Sequence, residues 1–152
     1  MRGDDGDDLA LGRAGNDALV GGRGADRLYG GKGDDRLYGG SGDDYIHVGQ
    51  GNDLIVGGNG DDEILLGSGK DQISYHRGNN GADEIQGFSA KNDTLNFEAT
   101  GATMDDLFLS VEDSNLRIEI EMDSVKANIL IIDGAQYMPD EDDQGLQDWM
   151  LF

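Results

Sequence analysis

One nine-residue phrase constrains this chain more than anything else in it: G-G-x-G-x-D-x-U-x, where U is a large apolar residue. Blocks start at Gly3, Gly12, Gly21, Gly30, Gly39, Val48, Gly57 and Leu66 with no insertion between them. After Tyr75, His76 and Arg77 a ninth block starts at Gly78, and after Gly87 a tenth, degenerate block starts at Phe88. The sixth position is Asp8, Asp17, Asp26, Asp35, Asp44, Asp53, Asp62, Asp71, Asp83 and Asp93, without exception. The eighth is Ala10, Leu19, Leu28, Leu37, Ile46, Ile55, Ile64, Ile73, Ile85 and Leu95. A period this short and this regular belongs to stacked, quasi-one-dimensional architectures.

The letters of one block specify its shape. Glycines at positions one, two and four permit positive φ, so the first six residues can turn tightly and expose backbone carbonyls. The last three alternate outward, inward, outward, a minimal β-strand with one buried side chain. Such a strand cannot stand alone. Two blocks therefore close one 18-residue coil with a strand on each side, and coils stack at about 4.8 Å, the spacing of hydrogen-bonded strands. The expected fold is all-β, a stack of such coils. Turns of alternate blocks line opposite edges, which puts Asp8, Asp26, Asp44 and Asp62 in one column and Asp17, Asp35, Asp53 and Asp71 in the other.

Carboxylates stacked roughly 5 Å apart repel one another unless a cation lies between them. Lysine and arginine are too few and too irregular for that, because acids outnumber bases 32 to 11 and the net charge is −21. A hard divalent cation taking six to eight oxygens suits carboxylates plus turn carbonyls, and calcium tolerates irregular cages better than magnesium. The same charge argues against nucleic-acid and anionic-membrane partners. The chain has no cysteine, hence no disulfide and no thiolate metal site. No apolar run reaches the roughly 18–20 residues that span a bilayer. The opening MRGDDGDDLA lacks the apolar core of a cleavable export signal.

The nonapeptide resembles the RTX (repeats-in-toxin) family. The resemblance implies a calcium-binding, right-handed parallel β-roll over residues 3–96, with each ion between turns of successive coils on one edge. It implies metal ligands at Asp8, Asp17, Asp26, Asp35, Asp44, Asp53, Asp62, Asp71 and Asp83. Neighbours within the columns give about 6–8 calcium ions, the last two depending on Asp83 and Asp93. There the three-residue insertion interrupts the spacing and Lys91 stands at a glycine position. Asp4 and Arg13 replace the second glycine of the first two blocks, and Val48 and Leu66 replace a first glycine.

Composition changes near residue 96: residues 1–96 hold 23 of the 26 glycines. Residues 97–152 read as a β-rich cap, with LFLSVED (107–113), LRIEIEM (116–122) and NILIID (128–133) at strand length. A cap covers the open strand edges of a roll end. The ending Asp148-Trp149-Met150-Leu151-Phe152 resembles the C-terminal signal of proteins exported by type I machinery, and packing on the cap is the equal alternative. The resemblance thus implies a secreted, bacterial, monomeric and non-catalytic module of a larger protein. A polysaccharide-binding accessory module of a secreted epimerase, lyase or adhesin is the alternative.

Weaker features carry little. DEDDQG (140–145) half-matches an EF-hand loop, but Leu151 falls where a bidentate Glu belongs. In Arg2-Gly3-Asp4, Gly3 and Asp4 belong to the first repeat. His47 and His76 belong to no catalytic or metal motif. Tyr29 and Tyr38, at outward ninth positions, read as exposed β-formers, with sugar stacking the lesser alternative.

Overall fold

The computed structural model describes residues 1–76, 80–97, 107–112, 115–122, 125–131 and 150–151. The repeats form β1 (Arg2–Asp5), β2 (Leu9–Ala14), β3 (Ala18–Arg23), β4 (Arg27–Lys32), β5 (Arg36–Ser41) and β6 (Tyr45–Gln50). They continue as β7 (Leu54–Asn59), β8 (Glu63–Leu65), β9 (Gln72–Ser74), β10 (Asn80–Gln86) and β11 (Thr94–Asn96). Beyond them lie β12 (Leu107–Glu112), β13 (Asn115–Met122), β14 (Val125–Ile131) and β15 (Met150–Leu151).

Odd and even strands separate into two sheets. One runs β1-β3-β5-β7-β9-β11-β15 and the other β12-β13-β14-β10-β8-β6-β4-β2. Every pairing from β1 to β11 is parallel, with partners one coil apart, such as Leu19↔Leu37 and Leu28↔Ile46. The protein is therefore a parallel β-roll. Its core is the eighth-position ladder: Leu19, Leu28, Leu37, Ile46, Ile55, Ile64, Ile73, Ile85 and Leu95 are each at most 1% exposed. Burying one such side chain contributes about 1.5–3 kcal/mol.

The strands are longer than the letters suggest. From β2 to β7 each spans six residues rather than three, running through the first two positions of the next block. Two positions per block then point inward, the eighth and the first. Val48 and Leu66, which interrupt the first-position glycines, are accordingly core residues, 0% and 5% exposed.

The three strand-like segments of the C-terminal region overlap β12, β13 and β14, the last beginning at Val125 rather than Asn128. They form an antiparallel meander joined to the roll by a parallel pairing of β14 with β10. Ile118 and Ile129 face each other across it and are fully buried. Met150 and Leu151 pair with Leu95 and Asn96 of β11. The DEDDQG segment, Asp148, Trp149 and Phe152 lie outside the described residues.

Candidate metal columns at the turns

Each strand ends in a tight turn that delivers one aspartate to the edge of the roll. Within a column the aspartates are hydrogen-bonded in series. The backbone N–H of Asp8 donates to Asp26 Oδ1 (2.8 Å), Asp26 to Asp44 (2.8 Å), Asp44 to Asp62 (2.9 Å) and Asp62 to Asp83 (3.1 Å). On the opposite edge Asp17 donates to Asp35 (2.8 Å), Asp35 to Asp53 (2.7 Å), Asp53 to Asp71 (3.1 Å) and Asp71 to Asp93 (3.0 Å). The two columns are those that the repeat phase places together. The insertion at Tyr75–Arg77 does not break them: Asp62 and Asp83 remain neighbours although 21 residues separate them.

The other carboxylate oxygen carries the chemistry. Oδ2 of Asp8, Asp17, Asp26, Asp35, Asp44, Asp53, Asp62 and Asp71 is buried and has no hydrogen-bond partner. Leaving a charged, buried oxygen unpaired costs several kcal/mol unless a cation meets it. Where a block opens on glycine, the missing side chain leaves room for the oxygens it faces. A Cβ built on Gly21 would lie 2.3 Å from Asp26 Oδ2 and 2.6 Å from the Gly39 carbonyl oxygen. On Gly30 it would lie 2.7 Å from Asp35 Oδ2 and 2.4 Å from the Val48 carbonyl oxygen. One carboxylate and one main-chain carbonyl from the next coil thus converge at these levels, as they do at Gly3, Gly12 and Gly39.

No group of three acidic or imidazole side chains that could hold an ion occurs among the described residues. Main-chain carbonyls of the turns are at hand to complete the shell of an ion, and with the carboxylates they make a hard, all-oxygen set that fits calcium. No base neutralises the columns: the ion pairs of the described residues, Arg2–Asp4 and Arg23–Asp5, lie outside them.

The electrostatics register the unmet charge. Burial, followed by the charge of Asp26, raises the Asp44 carboxyl to about 6 against the lowering effect of its peptide hydrogen bond. Burial raises Asp62 to about 8, with Asp83 and Asp44 adding repulsion, and raises Asp71 and Asp83 to about 6. Asp53 and Asp93 are also raised, chiefly by burial. Asp93 differs in kind, since its Oδ2 accepts the Ser89 N–H at 2.8 Å while its Oδ1 accepts that of Asp71.

A second ladder was not visible in the repeat. Fifth-position side chains accept N–H groups from the following coil: Ala25 donates to Asp7, Asp34 to Asn16, Asn52 to Asp34, Asp61 to Asp43, Lys70 to Asn52 and Ala82 to Asp61. The sixth-position ladder runs the other way, so each turn is tied to both neighbours. Only the frequency of Asp and Asn at a variable position hinted at this. His47, expected at the surface, is half-buried on the outer face of its sheet, with its ring 5.9 Å from Tyr29.

Such a fold and site define a β-roll of glycine–aspartate nonapeptides that gathers oxygen donors in two rows. Residues 2–73 match the RTX calcium-binding nonapeptide repeat in four overlapping copies, at 2–37, 11–46, 20–55 and 38–73. This part of the chain consists of RTX repeats, a class that binds calcium. Among solved structures, the chain is similar to the AlgE6R2 subunit of an Azotobacter vinelandii mannuronan C5-epimerase. Identity is 22% over 100% of this chain and 91% of that one, with a TM-score of 0.59. The AlgE6R3 subunit of the Azotobacter vinelandii mannuronan C5-epimerase is 23% identical over 92% of this chain and 86% of that one, with a TM-score of 0.52. These likenesses concern the fold. No curated protein matches the chain.

Proposed function

We propose that residues 3–96 are a calcium-driven folding module, closed by residues 97–152 as a cap, within an exported bacterial protein. Asp8, Asp17, Asp26, Asp35, Asp44, Asp53, Asp62, Asp71 and Asp83 are the side-chain ligands. The observation that supports this best is the row of eight buried, unpartnered Oδ2 atoms. In the absence of cations, carboxylate repulsion and glycine entropy oppose the fold, so that binding free energy becomes folding free energy. Six or seven ions bring about 12–14 positive charges against a net charge of −21.

Calcium held by extracellular modules has Kd of about 10⁻⁴–10⁻³ M, far above the range of cytosolic sensors. The chain then stays unfolded inside the cell, passes a type I channel as an extended monomer, and folds outside. In this reading the module is structural and performs no catalysis. The binding test is calcium titration of chelator-treated protein, followed by circular dichroism and hydrodynamic radius. A cooperative gain of β-signal with compaction is expected. An identical spectrum and radius with and without calcium would refute the reading. Export is tested separately, through secretion of an upstream reporter at low and millimolar external calcium. A rate indifferent to calcium removes the export role.

A further inference from the structure

The column ending at Asp83 meets a side chain that the nonapeptide does not contain. Tyr75, the first residue of the insertion, is 4% exposed and stacks on Phe97, with ring centroids 5.3 Å apart and planes inclined by 20°. The stack fixes the ring, and its hydroxyl is buried. It lies beside the Asp83 carboxylate and within the field of Asp62, whose own Oδ2 is buried and unpartnered. The phenol O–H has the Asp83 carboxylate as its acceptor, so the oxygens at this place that no donor meets are the phenol's lone pair and Asp62 Oδ2, and two such acceptors side by side call for a cation.

The other column ends differently. Asp93 closes on main chain, its two oxygens taking the N–H groups of Asp71 and Ser89. No phenol is needed there.

We propose that the Tyr75 hydroxyl oxygen is a ligand of a divalent cation held between Asp62 and Asp83, making this the one phenol-containing site of the roll. The proposal rests on the calcium reading above. A neutral phenol keeps a lone pair for the ion while its O–H remains free to donate to the Asp83 carboxylate. The insertion, which looks like a defect in the repeat, then supplies a donor at the level where the roll meets the following β-structure. Phe97 holds that donor in place.

The test uses the full chain. Calcium binding is counted and its affinities measured for the native protein and for Tyr75→Phe, which keeps the ring and removes only the oxygen. The expected result is one site weakened by about tenfold or more, with the others unchanged. Crystals of the native calcium-loaded chain provide an independent reading, with ions located by anomalous scattering. Tyr75 Oη is expected about 2.3–2.6 Å from one of them. An Oη farther than about 3.5 Å from every ion overturns the proposal, whether or not Tyr75→Phe folds. So does a Tyr75→Phe protein whose sites are all unchanged or all weakened alike. Native protein that binds no calcium at all overturns the calcium reading itself, a result distinguishable from either.

Discussion

A methyl group at Gly40 would stand 2.2 Å from the carbonyl oxygen of Gly22, at a φ of +126° that side chains avoid. At Gly6 the φ is similar, +111°, but nothing lies within 4 Å. The same substitution therefore separates two costs. Gly6→Ala carries only the left-handed strain, about 1–2 kcal/mol. Gly40→Ala adds a clash with backbone that cannot yield without breaking the β3–β5 register, and is expected to cost roughly 3 kcal/mol or more. Chemical denaturation at saturating calcium measures both; equal losses would show that coil contact is not what selects glycine. Asp4 and Arg13 follow the same logic. They hold φ of 84° and 83° in β1 and β2, the outermost strands of their sheets, where the strain stands without the clash. At this scale the aspartates and the eighth-position ladder were readable, because their chemistry is invariant. The fifth-position ladder was not, since Asp, Asn, Ala and Lys share that position and only some can accept a hydrogen bond.

At the scale of elements, strand length was the main misreading. The letters x-U-x suggest three residues, yet the parallel ladder continues through the start of the next block, where the first position faces the core and the second takes a positive φ. The cap strands were legible from alternation, but not their attachment. Sequence alone does not say that β14 would run parallel to β10, or that Met150–Leu151 would add to β11. Those pairings cover the two strand edges at which the repeats stop, and parallel edges left open are poor nuclei. Truncation after Asn96 removes β12 to β15 and uncovers both edges. Calcium should then fail to induce cooperative folding, so that the titration monitored by circular dichroism flattens and its midpoint moves to higher calcium. Full cooperative folding of Met1–Asn96 would show instead that the repeats nucleate themselves.

Across the whole molecule, protons and calcium compete for the same oxygens. Asp44, Asp71 and Asp83 are raised to about 6 and Asp62 to about 8, against an unfolded value near 3.9. The folded, metal-free roll thus binds protons more tightly than the unfolded chain does. Its stability from these groups is fully present below about pH 4 and is lost as pH rises through about 6 and then about 8. Calcium acts in the opposite sense, because it binds the deprotonated oxygens and its apparent affinity grows as those protons leave. Metal-free protein should therefore hold more β-structure at pH 4.5 than at pH 8, while the stabilisation added by a fixed calcium concentration should increase over that interval and level off above about pH 8. Thermal unfolding of chelator-treated and calcium-loaded protein across this range tests both halves. If the metal-free chain instead gained structure as pH rose, the carboxylate columns would not be the groups that oppose its folding, and neutralisation of the two columns would no longer explain a calcium requirement.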